Sequence, residues 1–114
     1  MPYFKIETNK SMEDSYAQDF AKEASSFVCR LLGKPEKYMM VAIRHGAVMT
    51  FGGIADPAAY VELKSIGLPK DKCEGFSKAI CEFIESSIGV PADRIYIEFK
   101  NIDGSMFGWN KTTF

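Results

Sequence analysis

Two helix-stop signals of the same form, Gly33-Lys34-Pro35 and Gly89-Val90-Pro91, stand 56 residues apart (33 to 89) in a chain of 114. Glycine readily takes the left-handed conformation that ends a helix, and a proline two residues later cannot continue one. The segment before each stop carries the matching pattern. Across residues 11–32, Tyr16, Phe20, Ala24, Phe27, Val28 and Leu31 recur at three- and four-residue steps, with Glu13, Asp19, Lys22, Glu23 and Arg30 mostly between them. That spacing predicts an amphipathic helix, and Ser11 with Asp14 three residues on predicts a capping-box-like start. Cys73, Phe76, Ile80, Phe83, Ile84 and Ser87 predict one face of a second helix.

Runs rich in aromatic and aliphatic residues at 3–8, 38–44, 59–66 and 95–102 predict four strands flanking these helices. The order is β-α-β twice over, and the same offset lays residues 2–9 on 58–65 and 38–45 on 94–101. The predicted fold is therefore α+β: one supersecondary unit used twice, giving a four-stranded sheet with two helices on one face. No linker or low-complexity tract interrupts it, so residues 1–114 form a single domain. A sheet buries a hydrophobic face wherever it has one, so the face without helices is expected to be covered by oligomerisation. The pair Gly52-Gly53 marks the one flexible spot, a turn after a short edge strand.

Composition narrows the chemistry. Fourteen Lys and Arg against fifteen Asp and Glu leave a formal charge of -1, without the basic excess that a phosphate backbone demands, so nucleic acid is not an expected partner. Cys29, Cys73 and Cys81 are odd in number and form no C-x-x-C, and His45 has no ligand at metal-binding spacing, so neither a disulfide framework nor a metal site is expected. No stretch approaches eighteen consecutive apolar residues, and the first residues lack a charged region followed by an apolar one. The expected location is the cytoplasm, with any secretion by a route that uses no signal peptide.

No nucleophile triad, phosphate loop or paired-carboxylate site is present, and the unusual group is Pro2. A small residue behind the initiator normally lets the methionine be trimmed, and proline would then present a secondary amine. An α-amino group titrates near neutrality, and desolvation or a nearby cation lowers its pKa further, so a buried N-terminal proline can serve as a general base at pH 7. Proline at this position is also compatible with no role beyond tolerance of the N-terminus.

Pro2, Gly33-Lys34-Pro35 with Tyr38 just after, Phe51-Gly52-Gly53, Asp56-Pro57, Ser65-Ile66-Gly67, Asp93-Arg94-Ile95-Tyr96-Ile97, and Gly108-Trp109-Asn110 with Phe114 occur in this order across essentially the whole chain. In this ensemble the chain resembles the macrophage migration inhibitory factor and D-dopachrome tautomerase family. The resemblance implies a homotrimer with tautomerase sites at subunit interfaces, needing no cofactor. It implies that Pro2 is the catalytic base, moving a proton between carbon and oxygen of an α-keto acid such as phenylpyruvate, or of a dopachrome-like substrate. Lys34 would bind the substrate carboxylate and depress the Pro2 pKa. Ile66 would contact substrate through its backbone, and Tyr96 would come from the neighbouring subunit. Tyr3, Tyr38, Phe107, Trp109 and Phe114 would wall the substrate ring; core packing is the other reading of Tyr3 and Tyr38.

Two positions depart from the pattern. Where mammalian relatives carry a C-x-x-C this chain has Ala58-Ala59-Tyr60-Val61, so the thiol-disulfide activity ascribed to those relatives does not carry over. Where they place an asparagine beside the active-site tyrosine this chain has Glu98, a carboxylate beside a site for an anion. The leading expectation is a phenylpyruvate tautomerase and L-dopachrome isomerase. A second is a secreted cytokine-like protein that engages cell-surface receptors through loops such as residues 70–72, with vestigial tautomerase activity. A third is a ferredoxin-like small-molecule-sensing domain, which would not depend on a free N-terminus.

Overall fold

Alternation of apolar and polar residues makes Tyr3–Thr8 strand β1, whose Phe4, Ile6 and Thr8 are buried. The computed structural model describes residues 1–114. The elements that follow are helix α1 (Asp14–Leu32), strand β2 (Met40–Arg44), strand β3 (Ala59–Ile66), helix α2 (Cys73–Ile88) and strand β4 (Ile95–Ile102), with a small hairpin of β5 (Gly108–Trp109) and β6 (Thr112–Thr113) at the end. The sheet order is β2-β1-β3-β4: each β-α-β unit pairs its own strands in parallel, and β1 and β3 meet antiparallel at the centre.

The helix stops form as predicted. Gly33 and Gly89 both end their helices in the left-handed conformation, at φ 66° and 71°. Single-turn helices at Glu36–Tyr38 and Ala92–Arg94 follow at the same 56-residue spacing (36 to 92). Phe20, Ala24 and Val28 of α1 fall on Phe76, Ile80 and Ile84 of α2, and all six are buried with Phe4, Ile6, Val61 and Leu63. Truncating one of the large members of this cluster to alanine costs about 2–5 kcal/mol. Phe83 joins the helices by stacking on Phe27 at 4.4 Å and Phe20 at 5.7 Å.

Four local expectations are corrected. Helix α1 starts at Asp14, and no side chain caps it, so the Ser11–Asp14 box does not form. Tyr38 belongs to the single turn after Pro35, so β2 begins two residues later than predicted. The offset also fails for the inner strands: β1 buries Phe4, Ile6 and Thr8, whereas the positions 56 further on, Tyr60, Glu62 and Lys64, face away from the helices in β3. A one-residue slip turns every side chain of a strand over, so the two halves match in helix and outer strand but not in inner strand.

The last correction concerns the uncovered sheet face. It carries Lys5, Glu7, Arg44, Glu62, Lys64, Glu98 and Lys100, with Tyr60 opposite Tyr96, Glu62 opposite Glu98 and Lys64 opposite Lys100. This face is largely polar, so it does not by itself require a cover. Of the large exposed apolar side chains, Met40, Tyr96, Met106 and Trp109 lie toward the strand ends and the C-terminal segment, and Tyr16, Val48 and Ile54 lie on α1 and in the loop after β2. No helix is long and apolar enough to cross a membrane.

Candidate active site

The chain enters the sheet at Pro2, whose carbonyl accepts the Met40 N–H at 3.1 Å, and its side chain is fully buried. A cavity of about 350 Å³ opens beside it, lined by Pro2, Tyr3, Tyr38, Met40, Phe107, Trp109 and Phe114, among others. The C-terminal segment forms one wall of this cavity. Asp103 starts a single-turn helix by accepting from Ser105 N and Oγ, which holds its carboxyl below the usual carboxylate range. A hairpin turns at Asn110 and Lys111, both at positive φ, and Phe114 N–H donates back to the Phe107 carbonyl at 3.1 Å. Tyr38 then meets Trp109 edge-on at 5.3 Å and Phe114 at 5.8 Å, while Trp109 and Phe114 stack at 5.6 Å. All five predicted wall residues thus share one cavity with Pro2.

Lys34 sits just past the Gly33 stop, and its ammonium donates to Ser65 Oγ at 3.0 Å and to the Ile66 carbonyl. Lys34 and Ile66 therefore meet through the backbone of Ile66, and one of the three ammonium N–H groups remains unused. The α-amine at Met1 lies below its ordinary pKa, chiefly through burial and then through the Lys34 charge, with Cys29 acting weakly the other way. Burial and Glu36 push the Cys29 thiol up, so it stays neutral at pH 7 despite the nearby amine. With Met1 attached, the Pro2 nitrogen is an amide and carries no basic lone pair; removal of Met1 would turn it into a secondary amine.

Tyr96 and Glu98 are not at this cavity. They lie on β4, two strands from β1, and Tyr96 pairs through Tyr60 with Glu7, toward the end of β1 away from Pro2. A second cavity of about 390 Å³ is lined there by Tyr96, Phe51, Tyr60, Ala58 and Glu7, among others. Glu98 Oε1 accepts the Tyr60 hydroxyl at 3.0 Å, and this carboxylate raises the Tyr60 pKa. The two cavities correspond under the repeat: Pro2, Met40 and Phe51 fall on Ala58, Tyr96 and Phe107 at the 56-residue offset, and each cavity takes one member of each pair.

The family model described as macrophage migration inhibitory factor (MIF) matches residues 1–114. The chain belongs to the MIF family. It is 38% identical over 115 residues to a macrophage migration inhibitory factor homolog of Brugia malayi, covering 100% of this chain and 99% of the relative. It is 31% identical to the macrophage migration inhibitory factor of Rattus norvegicus, with the same coverage. The solved structure of the homologue from Prochlorococcus marinus superposes with a TM-score of 0.91 at 41% identity, covering 98% of both chains. The MIF family includes tautomerases and cytokine-like members, so the four-stranded mixed sheet with two helices is the fold of an isomerase family.

Ser65, Met40 and Cys29 were not predicted at this candidate site. Ser65 was the findable one: alternation along β3 turns it inward with Val61 and Leu63, and a buried hydroxyl beside a lysine needs a polar partner.

Proposed function

We propose that the chain is a cofactor-free keto-enol tautomerase acting on phenylpyruvate-like and dopachrome-like substrates, with Pro2 as the base once Met1 is removed. The observation that carries this reading is Pro2 at an aromatic-walled cavity, with the neighbouring Met1 α-amine held below its ordinary pKa by burial and by Lys34. A neutral amine at pH 7 takes the proton from the carbon next to the keto group and returns it to oxygen, or the reverse. The remaining Lys34 N–H pairs with the substrate carboxylate, the backbone of Ile66 contacts the substrate, and Tyr3, Tyr38, Phe107, Trp109 and Phe114 hold the ring.

Tyr96 and Glu98 take part only if a second copy supplies them, because within one chain they lie toward the other end of the sheet. The homotrimer implied by the family resemblance provides that copy. We place the protein in the cytoplasm, with secretion and receptor engagement as the alternative role that family membership supports. The test is ultraviolet-monitored ketonisation of enol-phenylpyruvate by protein whose trimmed N-terminus is checked by intact mass, beside Pro2→Gly trimmed in the same way. The expected loss is roughly a hundredfold or more in kcat/KM. Equal turnover by the two proteins assigns the base elsewhere.

A further inference from the structure

Three of the signature segments meet at one side chain that the mechanism above does not use. The Arg94 guanidinium donates to the carbonyls of Pro57 at 2.9 Å, Ile54 at 2.9 Å, Asp56 at 3.1 Å and Phe51 at 3.3 Å. It makes no ion pair with any carboxylate. Its planar fork is spent wholly on the backbone of the segment that follows β2, and lysine cannot reproduce that fork. Asn9 grips the same segment from the other side, donating to Asp56 O at 2.9 Å and Ala55 O at 3.2 Å and accepting Ala58 N–H at 2.9 Å.

The guanidinium also lies 5.2 Å from the centroid of the Phe51 ring, and the Phe51 ring lies 4.8 Å from that of Tyr96. Gly52 and Gly53, at φ 61° and 77°, close the tight turn that brings Phe51 back against Ile54 and so presents its ring to Tyr96. Tyr96 is 61% exposed and otherwise stands at the outer edge of the sheet with one strand neighbour, Tyr60. Guanidinium, Phe51 and Tyr96 form one continuous row of contacts, the two rings tilted by 45°, and Arg94 is its only member whose side chain is tied down by several hydrogen bonds.

We propose that Arg94 is a positioning residue for the tautomerase reaction: by clamping residues 51–57 and stacking on Phe51, it fixes the orientation of the Tyr96 ring. This rests on the reading above that Tyr96 serves the substrate site. Arg94 touches no substrate itself. Loss of the clamp therefore loosens substrate binding and leaves proton transfer at Pro2 intact, which separates it from a residue that merely supports the fold.

The experiment compares trimmed wild-type protein with Arg94→Lys, which keeps the charge and loses the fork, and with Phe51→Leu, which keeps the carbonyl that Arg94 holds and loses the ring. Enol-phenylpyruvate kinetics are expected to show KM raised roughly tenfold in both variants, with kcat within about twofold and an unmoved pH profile. Carbon-13 labelling of the tyrosine rings, with Tyr96 assigned through Tyr96→Phe, is expected to show its signal leaving the ring-current position it holds beside Phe51 in Arg94→Lys, which keeps that ring. An active wild type with KM unchanged in both variants, or with the Tyr96 signal unmoved in Arg94→Lys, overturns the role of Arg94 and leaves the tautomerase reading standing. A trimmed wild type that turns over no enol brings down that reading and the role of Arg94 with it. Thermal unfolding midpoints identify a variant that has simply failed to fold, and the KM of Phe51→Leu then decides whether the ring that Arg94 lies over orders Tyr96, an unchanged KM overturning the proposal.

Discussion

Replacing Lys34 by methionine removes one charge at nearly constant side-chain length, and its consequences can be worked through in order. The ammonium donates to Ser65 Oγ and to the Ile66 carbonyl, and hydrogen bonds from charged donors contribute about 1.5–3 kcal/mol each. The loss is smaller than that sum, because Ser65 Oγ also donates to the Ile66 carbonyl at 3.3 Å and so leaves neither oxygen without a partner. Burying a methionine also avoids desolvating an ammonium. The net cost is about 1–3 kcal/mol, which for a domain of this size lowers the unfolding midpoint by about 3–6 °C per kcal/mol.

The kinetic effects have their own signs. Losing the pairing with a substrate carboxylate is expected to raise KM for phenylpyruvate roughly 10- to 100-fold. The Lys34 cation is the second of the two causes holding the Met1 α-amine down, and the same cation beside the Pro2 amine that trimming exposes is expected to lower its pKa, so removing Lys34 is expected to raise it. The rise of kcat/KM with pH then shifts to higher pH, because more of the base is protonated at any given pH. The assay is enol ketonisation across pH 5 to 9, with calorimetric midpoints on the same preparations. A lowered midpoint with unchanged KM and unchanged pH profile would refute the reasoning and leave Lys34 a structural residue that pins the end of β3.

Glu98→Asn is expected to return the Tyr60 pKa toward the ordinary phenol range, since the Glu98 carboxylate is the main cause of its rise; an ultraviolet tyrosinate titration against Tyr60→Phe reads this. If a second copy brings Glu98 to the Pro2 cavity, the same variant also lowers KM for the keto-acid anion and lowers the apparent pKa of the kcat/KM rise, and identical kinetics would leave Glu98 a surface residue. Sedimentation equilibrium is expected to show a trimer at micromolar concentration, and a stable monomer there would remove the route by which Tyr96 and Glu98 reach the site.

The frame was legible where one local rule acted alone. The stops at Gly33 and Gly89 and the full extents of β3 and β4 follow from residue type and alternation. Tyr38 read as strand because it is aromatic, yet the turn after Pro35 claims it and sends its ring to Trp109 and Phe114. The slip between β1 and β3 was hidden, because the helices and their stops keep the offset while strand facing depends on which side meets them. At the site, Pro2 stood out by the chemistry of an N-terminal secondary amine, while its assignment as base and its aromatic walls came through the family resemblance. The Arg94 and Asn9 clamp did not, because side chains bonded to backbone carbonyls need no complementary residue and leave no pair for a reader to find.

The paired cavities bear on how a repeated unit acquires a reactive group. Symmetry supplies two hollows built to one plan, but a secondary amine can exist only at a chain terminus, and the counterpart of Pro2 is Ala58, whose nitrogen is an amide in mid-chain and donates to Asn9. However closely the halves converged, duplication could furnish one basic centre per chain and no more. Under the proposed function the twin is then released from chemistry, and its tyrosine, at the position that corresponds to Met40, is free to be lent to a neighbour's site in the proposed trimer.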